Sequence, residues 1–169
     1  MTALIQGFPA LTHPACCVLV LGSMPGVASL RAQQYYAHPQ NLFWKITGGL
    51  FGFDPFASYA ERTASLLAAD VALWDVLHSC AREGSLDVAI DKNSVMTNDF
   101  ISFFAAHPLI ERVCFNGAAA GSLFMRQVQP SLPHDLKLQY ARLPSTSPAN
   151  ASIPLAEKTR AWSKALQLA

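Results

Sequence analysis

Cys16-Cys17-Val18-Leu19-Val20-Leu21 runs without a polar break into Gly22-Ser23-Met24-Pro25-Gly26. A short apolar run that stops on a Gly/Pro turn reads as a buried strand opening into a loop. Just downstream, Tyr35-Tyr36-Ala37-His38-Pro39-Gln40-Asn41-Leu42-Phe43-Trp44 gathers aromatic rings, an imidazole and two amides into ten residues. Polar and aromatic groups beyond a strand end lie where open α/β sheets bind their ligands. The plain alternative is a surface loop with a few aromatics tucked beneath it.

The rest of the chain alternates in the same way. Further strands are expected at 71–76, 112–115 and 136–143, with a loose start before the first. Residues 27–34 suit a short helical piece, and 41–50 a helix entered through His38-Pro39 and left near Gly48-Gly49. In 56–69, Phe56, Tyr59, Ala60, Thr63, Leu66 and Leu67 recur at helical steps. Thr97-Asn98-Asp99 offers a cap for a helix ending at Ala106, and Asn116-Gly117 opens onto a helix over 118–128. An amphipathic helix over 152–168, with Pro154 in its first turn, closes the chain. The polar stretch 78–92 reads as a long connection. Strands alternating with helices imply a three-layer αβα fold around a central, mainly parallel four-stranded sheet. In that topology the residues 22–26, Asp75, Asn116 and the Pro/Ser-rich residues 144–150 converge on one sheet edge with the aromatic stretch.

Length and composition are consistent with this. The 169 residues suit a single domain, spanning 1–169, with one substantial core. Half the residues are hydrophobic, yet no run approaches the roughly 20 apolar residues of a membrane span. The start lacks the basic region and cleavage site of a signal peptide, so a cytoplasmic protein with no membrane partner is expected. A net charge of +1 advertises no strong nucleic-acid field, although a local patch can serve instead. Cys16, Cys17, Cys80 and Cys114 form no C-x-x-C pair, and the histidines show no i, i+4 pairing. Reduced thiols, no metal and no cofactor are expected.

At these residues the sequence resembles the uracil-DNA glycosylase superfamily. Gly22-Ser23-Met24-Pro25-Gly26 matches its first motif, and Leu143-Pro144-Ser145-Thr146-Ser147-Pro148 sits where its second belongs. Tyr36-Ala37-His38-Pro39-x-Asn41-x-Phe43-Trp44 is similar to the mismatch-specific branch. Together with Asn116-Gly117 and the residues from Leu143 to Asn150, it resembles the hypoxanthine-DNA glycosylase branch most of all. The likeness covers nearly the whole chain from about residue 16. Two departures matter: Met24 stands where mismatch-specific enzymes carry Asn, and Leu143 where uracil-specific enzymes carry His. Neither can orient water or hold a developing anion. In the hypoxanthine branch the water-positioning role goes to an Asn matching Asn41.

The resemblance implies a monomeric, monofunctional enzyme of base excision repair whose partner is damaged DNA. It would flip out a deaminated base, hypoxanthine ahead of uracil, and hydrolyse its N-glycosidic bond. Asn41 is the candidate catalytic residue, with an ordinary helix cap as its structural alternative. Tyr36 would stack on the extruded base, and the Asn116 amide would meet its donor–acceptor edge, a pattern hypoxanthine and uracil share. Gly22, Ser23 and Met24 would lie against the base, and Pro25 and Gly26 would let the backbone approach the DNA. Ser145, Thr146 and Ser147 would donate to phosphates, and their loop could enter the gap left by the base. His38 could reach phosphate or sugar, with a structural imidazole as alternative; Asp75 could hold water, or simply cap a helix or join a salt bridge. Two other readings remain: a uracil- or mismatch-specific glycosylase, and a non-catalytic nucleic-acid-binding α/β module that has lost its first-motif Asn.

Overall fold

The first strand forms where the apolar run placed it. In the computed structural model, which describes residues 2–167, β2 (Val18–Gly22) is buried at all five positions. It lies inside a four-stranded parallel sheet of order β3-β2-β6-β7, with β3 at Val71–Asp75, β6 at Arg112–Asn116 and β7 at Gln139–Leu143. Alternation along β2 sends Val18 and Val20 to one face and Leu19 and Leu21 to the other, and each pair joins a separate core. The first core holds Phe43, Trp44 and Ile46 from α2 (Phe43–Phe51), Leu66 from α3 (Tyr59–Ala68), and Trp162 and Leu166 from α6 (Leu155–Leu166). The second holds three phenylalanines of α4 (Phe100–Ala106) and Ala120 and Phe124 of α5 (Ala118–Gln127). Helices therefore cover both faces, giving the αβα arrangement. No helix among the described residues is long and apolar enough to cross a membrane.

Several boundaries differ from expectation, each for a local reason. The helix expected over 56–69 starts at Tyr59, because Ser58 and Glu61 form a reciprocal capping box; Phe56 falls outside and is 90% exposed. The helix expected from residue 41 starts at Phe43 and runs through Gly48-Gly49 to a left-handed Gly52. Gly48 is tolerated inside it because a side chain there would meet the Phe53 carbonyl at 2.7 Å. Pro154 keeps an extended ψ of 150° and precedes α6 rather than joining its first turn. The final position of that expected helix, Leu168, lies outside the described residues. The last strand begins at Gln139 rather than 136, since Leu136 closes a turn onto Pro133.

The largest difference is a second sheet. β1 (Leu4–Gln6), β4 (Leu77–Ala81) and β5 (Met96–Thr97) form an antiparallel three-stranded sheet in segments read as a loose start, a long connection over 78–92 and, at Thr97, part of a helix cap. These strands are too short and too polar (His78, Ser79) to show a period. What creates them is pairing across more than seventy residues of chain, Leu4 with Ala81 and Gln6 with Ser79.

Candidate active site at the carboxyl edge of the sheet

Four strand ends and the aromatic stretch enclose a cleft of about 150 Å³. Every candidate named from the sequence touches it: Gly22, Ser23, Met24, Pro25, Gly26, Tyr36, His38, Asn41, Asn116, Ser145, Thr146 and Ser147. Typical drug-sized ligands take roughly 300–1,000 Å³. The cleft is therefore sized for a single heterocycle rather than a whole nucleotide.

The loop after β2 is held from two directions. Its backbone accepts bonds from the turn after β3, Val76 N–H to the Gly22 carbonyl and Leu77 N–H to the Ser23 carbonyl. On its outer side the segment 82–87 forms a strap. The Arg82 guanidinium donates to the Pro25 carbonyl, Ser85 Oγ accepts from Val27 N–H at 2.9 Å, and Ser23 Oγ donates to Asp87 Oδ1 at 2.5 Å. Ser85 and Asp87 thereby line the cleft although their stretch read only as a connection. Nothing in their local pattern marks them beyond Ser and Asp beside a glycine. Met24 is only 6% exposed and belongs to the core with Leu77 and Ile90, and it also borders the cleft.

Tyr36 has φ of 53°, a left-handed conformation uncommon for a bulky residue and costing about 1–3 kcal/mol. Its ring stacks on Phe43 at 4.3 Å and 30°, which covers one face. Burial, aided by the Asp75 charge and only partly opposed by the nearby Asn116 amide, drives its phenol well above the usual pKa, and no group stands in hydrogen-bonding geometry to its hydroxyl. Asn41 stands one residue before the N-cap, Leu42, and makes an Asx turn into the helix rather than the cap expected as its alternative: Oδ1 accepts from Phe43 N–H at 2.9 Å, while the residue also lines the cleft. An amide oxygen has a second lone pair, so this bond does not exhaust it. His38 is exposed, and its Nδ1 accepts from Gln40 N–H at 3.1 Å.

Asn116 and Thr146 form a bracket across the cleft. Thr146 N–H donates to Asn116 Oδ1, and Asn116 Nδ2 donates to Thr146 Oγ1, both at 2.9 Å. Because a backbone N–H can only donate, this pairing orients the amide and leaves one lone pair and one N–H, in an amide that lies beside the Tyr36 phenol. The Thr146 carbonyl accepts from Leu42 N–H at the entry to α2. With 1% exposure and every polar group engaged, Thr146 anchors the loop, which departs from the phosphate contact expected of it. Ser145 and Ser147 are half-buried and remain at the cleft wall. Gly117, at φ of 96°, passes under Ser145, where a Cβ would approach the serine Cβ to 3.1 Å. Behind the loop, Trp162 Nε1 donates to the Pro144 carbonyl and Lys158 Nζ to the Asn150 carbonyl.

Asp75, at the end of β3, is neither a helix cap nor a salt-bridge partner. It is 3% exposed, lines the cleft, and its Oδ2 is buried without a hydrogen-bond partner. Burial, reinforced by the Asp87 carboxylate and opposed by Arg82, raises its pKa from 3.8 to about 7. Gly22 makes room for it, since a Cβ there would lie 2.5 Å from Asp75 Oδ1 and 3.1 Å from the Tyr36 hydroxyl. Among the described residues no group of three or more His, Cys, Asp or Glu could hold a metal ion.

No family model matches the chain, but individual relatives do. A protein from Methanosarcina acetivorans named hypoxanthine DNA glycosylase is 35% identical over 146 residues, 86% of this chain and 87% of the relative. One of the same name from Methanosarcina barkeri is 37% identical over 117 residues, covering 69% and 73%. The solution NMR structure of a candidate uracil DNA glycosylase from Methanosarcina acetivorans matches with a TM-score of 0.79 and 30% identity over 97% of each chain. Sequence likeness over most of the length and a shared fold agree: the chain belongs to the hypoxanthine DNA glycosylase family and is a DNA glycosylase of uracil-DNA glycosylase-like fold.

Proposed function

We propose that this glycosylase releases hypoxanthine from DNA, acting intracellularly as a monomer. The observation that carries the reading is the base-sized cleft on which Tyr36, Asn41 and Asn116 converge. Tyr36 offers a flipped base the face opposite Phe43. Asn116 keeps one donor and one acceptor, complementary to O6 and N1–H of hypoxanthine. Asn41 directs its remaining lone pair at a water beside the sugar carbon. An amide is a weak base, so it serves a largely dissociative transition state in which the base departs ahead of water attack. Ser145 and Ser147, with the backbone at Pro25 and Gly26 and the exposed His38, meet the flanking phosphates; Thr146 fixes the loop that carries the serines.

Uracil is the second reading, favoured by the same Asn116 pattern and by the structural neighbour's name. The deciding experiment is a single-turnover cleavage panel on oligonucleotides carrying hypoxanthine, uracil, xanthine or no lesion. Hypoxanthine should be released fastest. Faster release of uracil would reverse the assignment, and release of no base would favour the binding-module reading of this chain.

A further inference from the structure

Among the described residues, four side-chain polar atoms are buried without a partner, and two of them line the cleft: the Tyr36 hydroxyl and Asp75 Oδ2. The Tyr36 hydroxyl and the other carboxyl oxygen of the same aspartate, Asp75 Oδ1, bracket one glycine, Gly22. A buried polar group without a partner is costly, and a buried unpaired charge far more so. The charged and titratable groups facing Asp75 do little to relieve it. Asp87, on the strap, is an anion, and Tyr36 and Tyr35 carry phenols that stay neutral. Arg82 is the cation whose field reaches Asp75, yet its guanidinium is bonded to the Pro25 and Gly84 carbonyls through two of its nitrogens, and the third, Nη1, is buried without bonding Asp75 or any other group. The carboxyl therefore holds its proton to unusually high pH, with an oxygen aimed at nothing the protein supplies.

We propose that Asp75 is the general acid of base release, donating its proton to a ring nitrogen of the flipped hypoxanthine as the C1′–N9 bond breaks. This rests on the hypoxanthine reading above. The step balances. The Asp75 proton moves to N7 or N3, the C1′–N9 electron pair stays with the base, and hypoxanthine leaves neutral. Water adds to C1′, and the proton it sheds returns to the Asp75 carboxylate. The imidazole ring of a purine has a basic nitrogen that uracil lacks, so such an acid serves a purine in particular. Asn41 and Asp75 then divide the work, the amide holding water and the acid assisting the leaving group. General acid assistance is typically worth about 100- to 10,000-fold.

The test is single-turnover release from pH 5.5 to 9 by wild type and Asp75→Asn, on hypoxanthine and on its 7-deaza and 3-deaza analogues. The wild-type rate should be level below about 7 and fall about tenfold per pH unit above it. Asp75→Asn should be slower by about 100-fold or more at pH 6, with no such fall. On the analogue that lacks the receiving nitrogen the two proteins should cleave equally slowly; on the other the gap should persist. A wild-type rate that rises through pH 7, an Asn variant as fast as wild type, or an equal gap on both analogues overturns the proposal while leaving the substrate assignment standing. Wild type inactive on hypoxanthine overturns both.

Discussion

Asp75→Asn should make the protein more stable at neutral pH. In the unfolded chain the carboxyl ionises near its ordinary 3.8, but in the folded protein not until about 7, because burial and then the Asp87 charge disfavour the anion. Between those values the folded state binds a proton that the unfolded state has released, so stability falls as pH rises. The contribution is intact below about pH 4, is lost progressively up to about 7, and is level above that. A rise of about three pH units at about 1.36 kcal/mol each sets a ceiling of about 4 kcal/mol. This is a large share of the roughly 5–15 kcal/mol by which folded domains are stable. Asn at the same position has the same shape and no charge to lose. Its amide adds a pH-independent offset of about 1 kcal/mol either way, depending on the hydrogen bond it finds. Urea denaturation of both proteins at pH 4.5, 6, 7 and 8 measures the difference, and the m-values should match. The variant's advantage should grow from pH 4.5 to 7 and then stop. An advantage that is constant across the range would show that Asp75 ionises as freely folded as unfolded, and the reasoning about its buried proton would fail. A stabilised variant that is also inactive would be the exchange of stability for function expected at an active site.

Other substitutions probe the remaining groups. Asn41→Ala should slow hypoxanthine release by about 100-fold or more and cost about 1 kcal/mol through the lost hydrogen bond from Phe43 N–H. Asn41→Asp should restore that bond without the rate, and near-normal single-turnover rates in the Ala variant would remove Asn41 from catalysis. Gly22→Ala drives a methyl into Asp75 Oδ1 and toward the Tyr36 hydroxyl, so thermal denaturation should show a loss of about 1–3 kcal/mol; unchanged stability would mean that Asp75 and Tyr36 give way to the methyl without cost. Asn116→Asp replaces the donor that reaches Thr146 with an acceptor and presents a charge to O6. Cleavage of hypoxanthine should be lost while nonspecific DNA affinity, measured by fluorescence anisotropy, changes only modestly; equal activity would place base reading elsewhere. Glycine at 145, 146 and 147 together should reduce the rate most on a well-paired duplex, less on a mismatched lesion and least on a single strand, because it loosens a loop whose rigidity helps offset unstacking. An equal loss on all three substrates would confine the loop to backbone contacts.

The sequence by itself determined what depends on short-range pattern. The short, mainly apolar segments 16–21, 71–76 and 112–115, spaced by helical stretches, are suited to burial between two helical layers, so the parallel sheet follows, and its strand ends collect Gly22, Asp75 and Asn116. The motif spacing around Tyr36, Asn41 and Ser145 was sufficient to identify the glycosylase superfamily. Tertiary structure decided what depends on partners distant in the chain. The small sheet exists because residues 4–6 find 79–81, and the strap residues Arg82, Ser85 and Asp87 acquire a role only when folded against residues 23–27. Thr146 looks like a phosphate-facing hydroxyl until Asn116 and Leu42 claim all its polar groups. Asp75 shows the reason most sharply. An aspartate after a strand looks the same in sequence whether it caps, pairs or stores a proton. The choice is made by desolvation and by which charges surround it, and both are properties of the packed interior rather than of neighbouring residues in the chain.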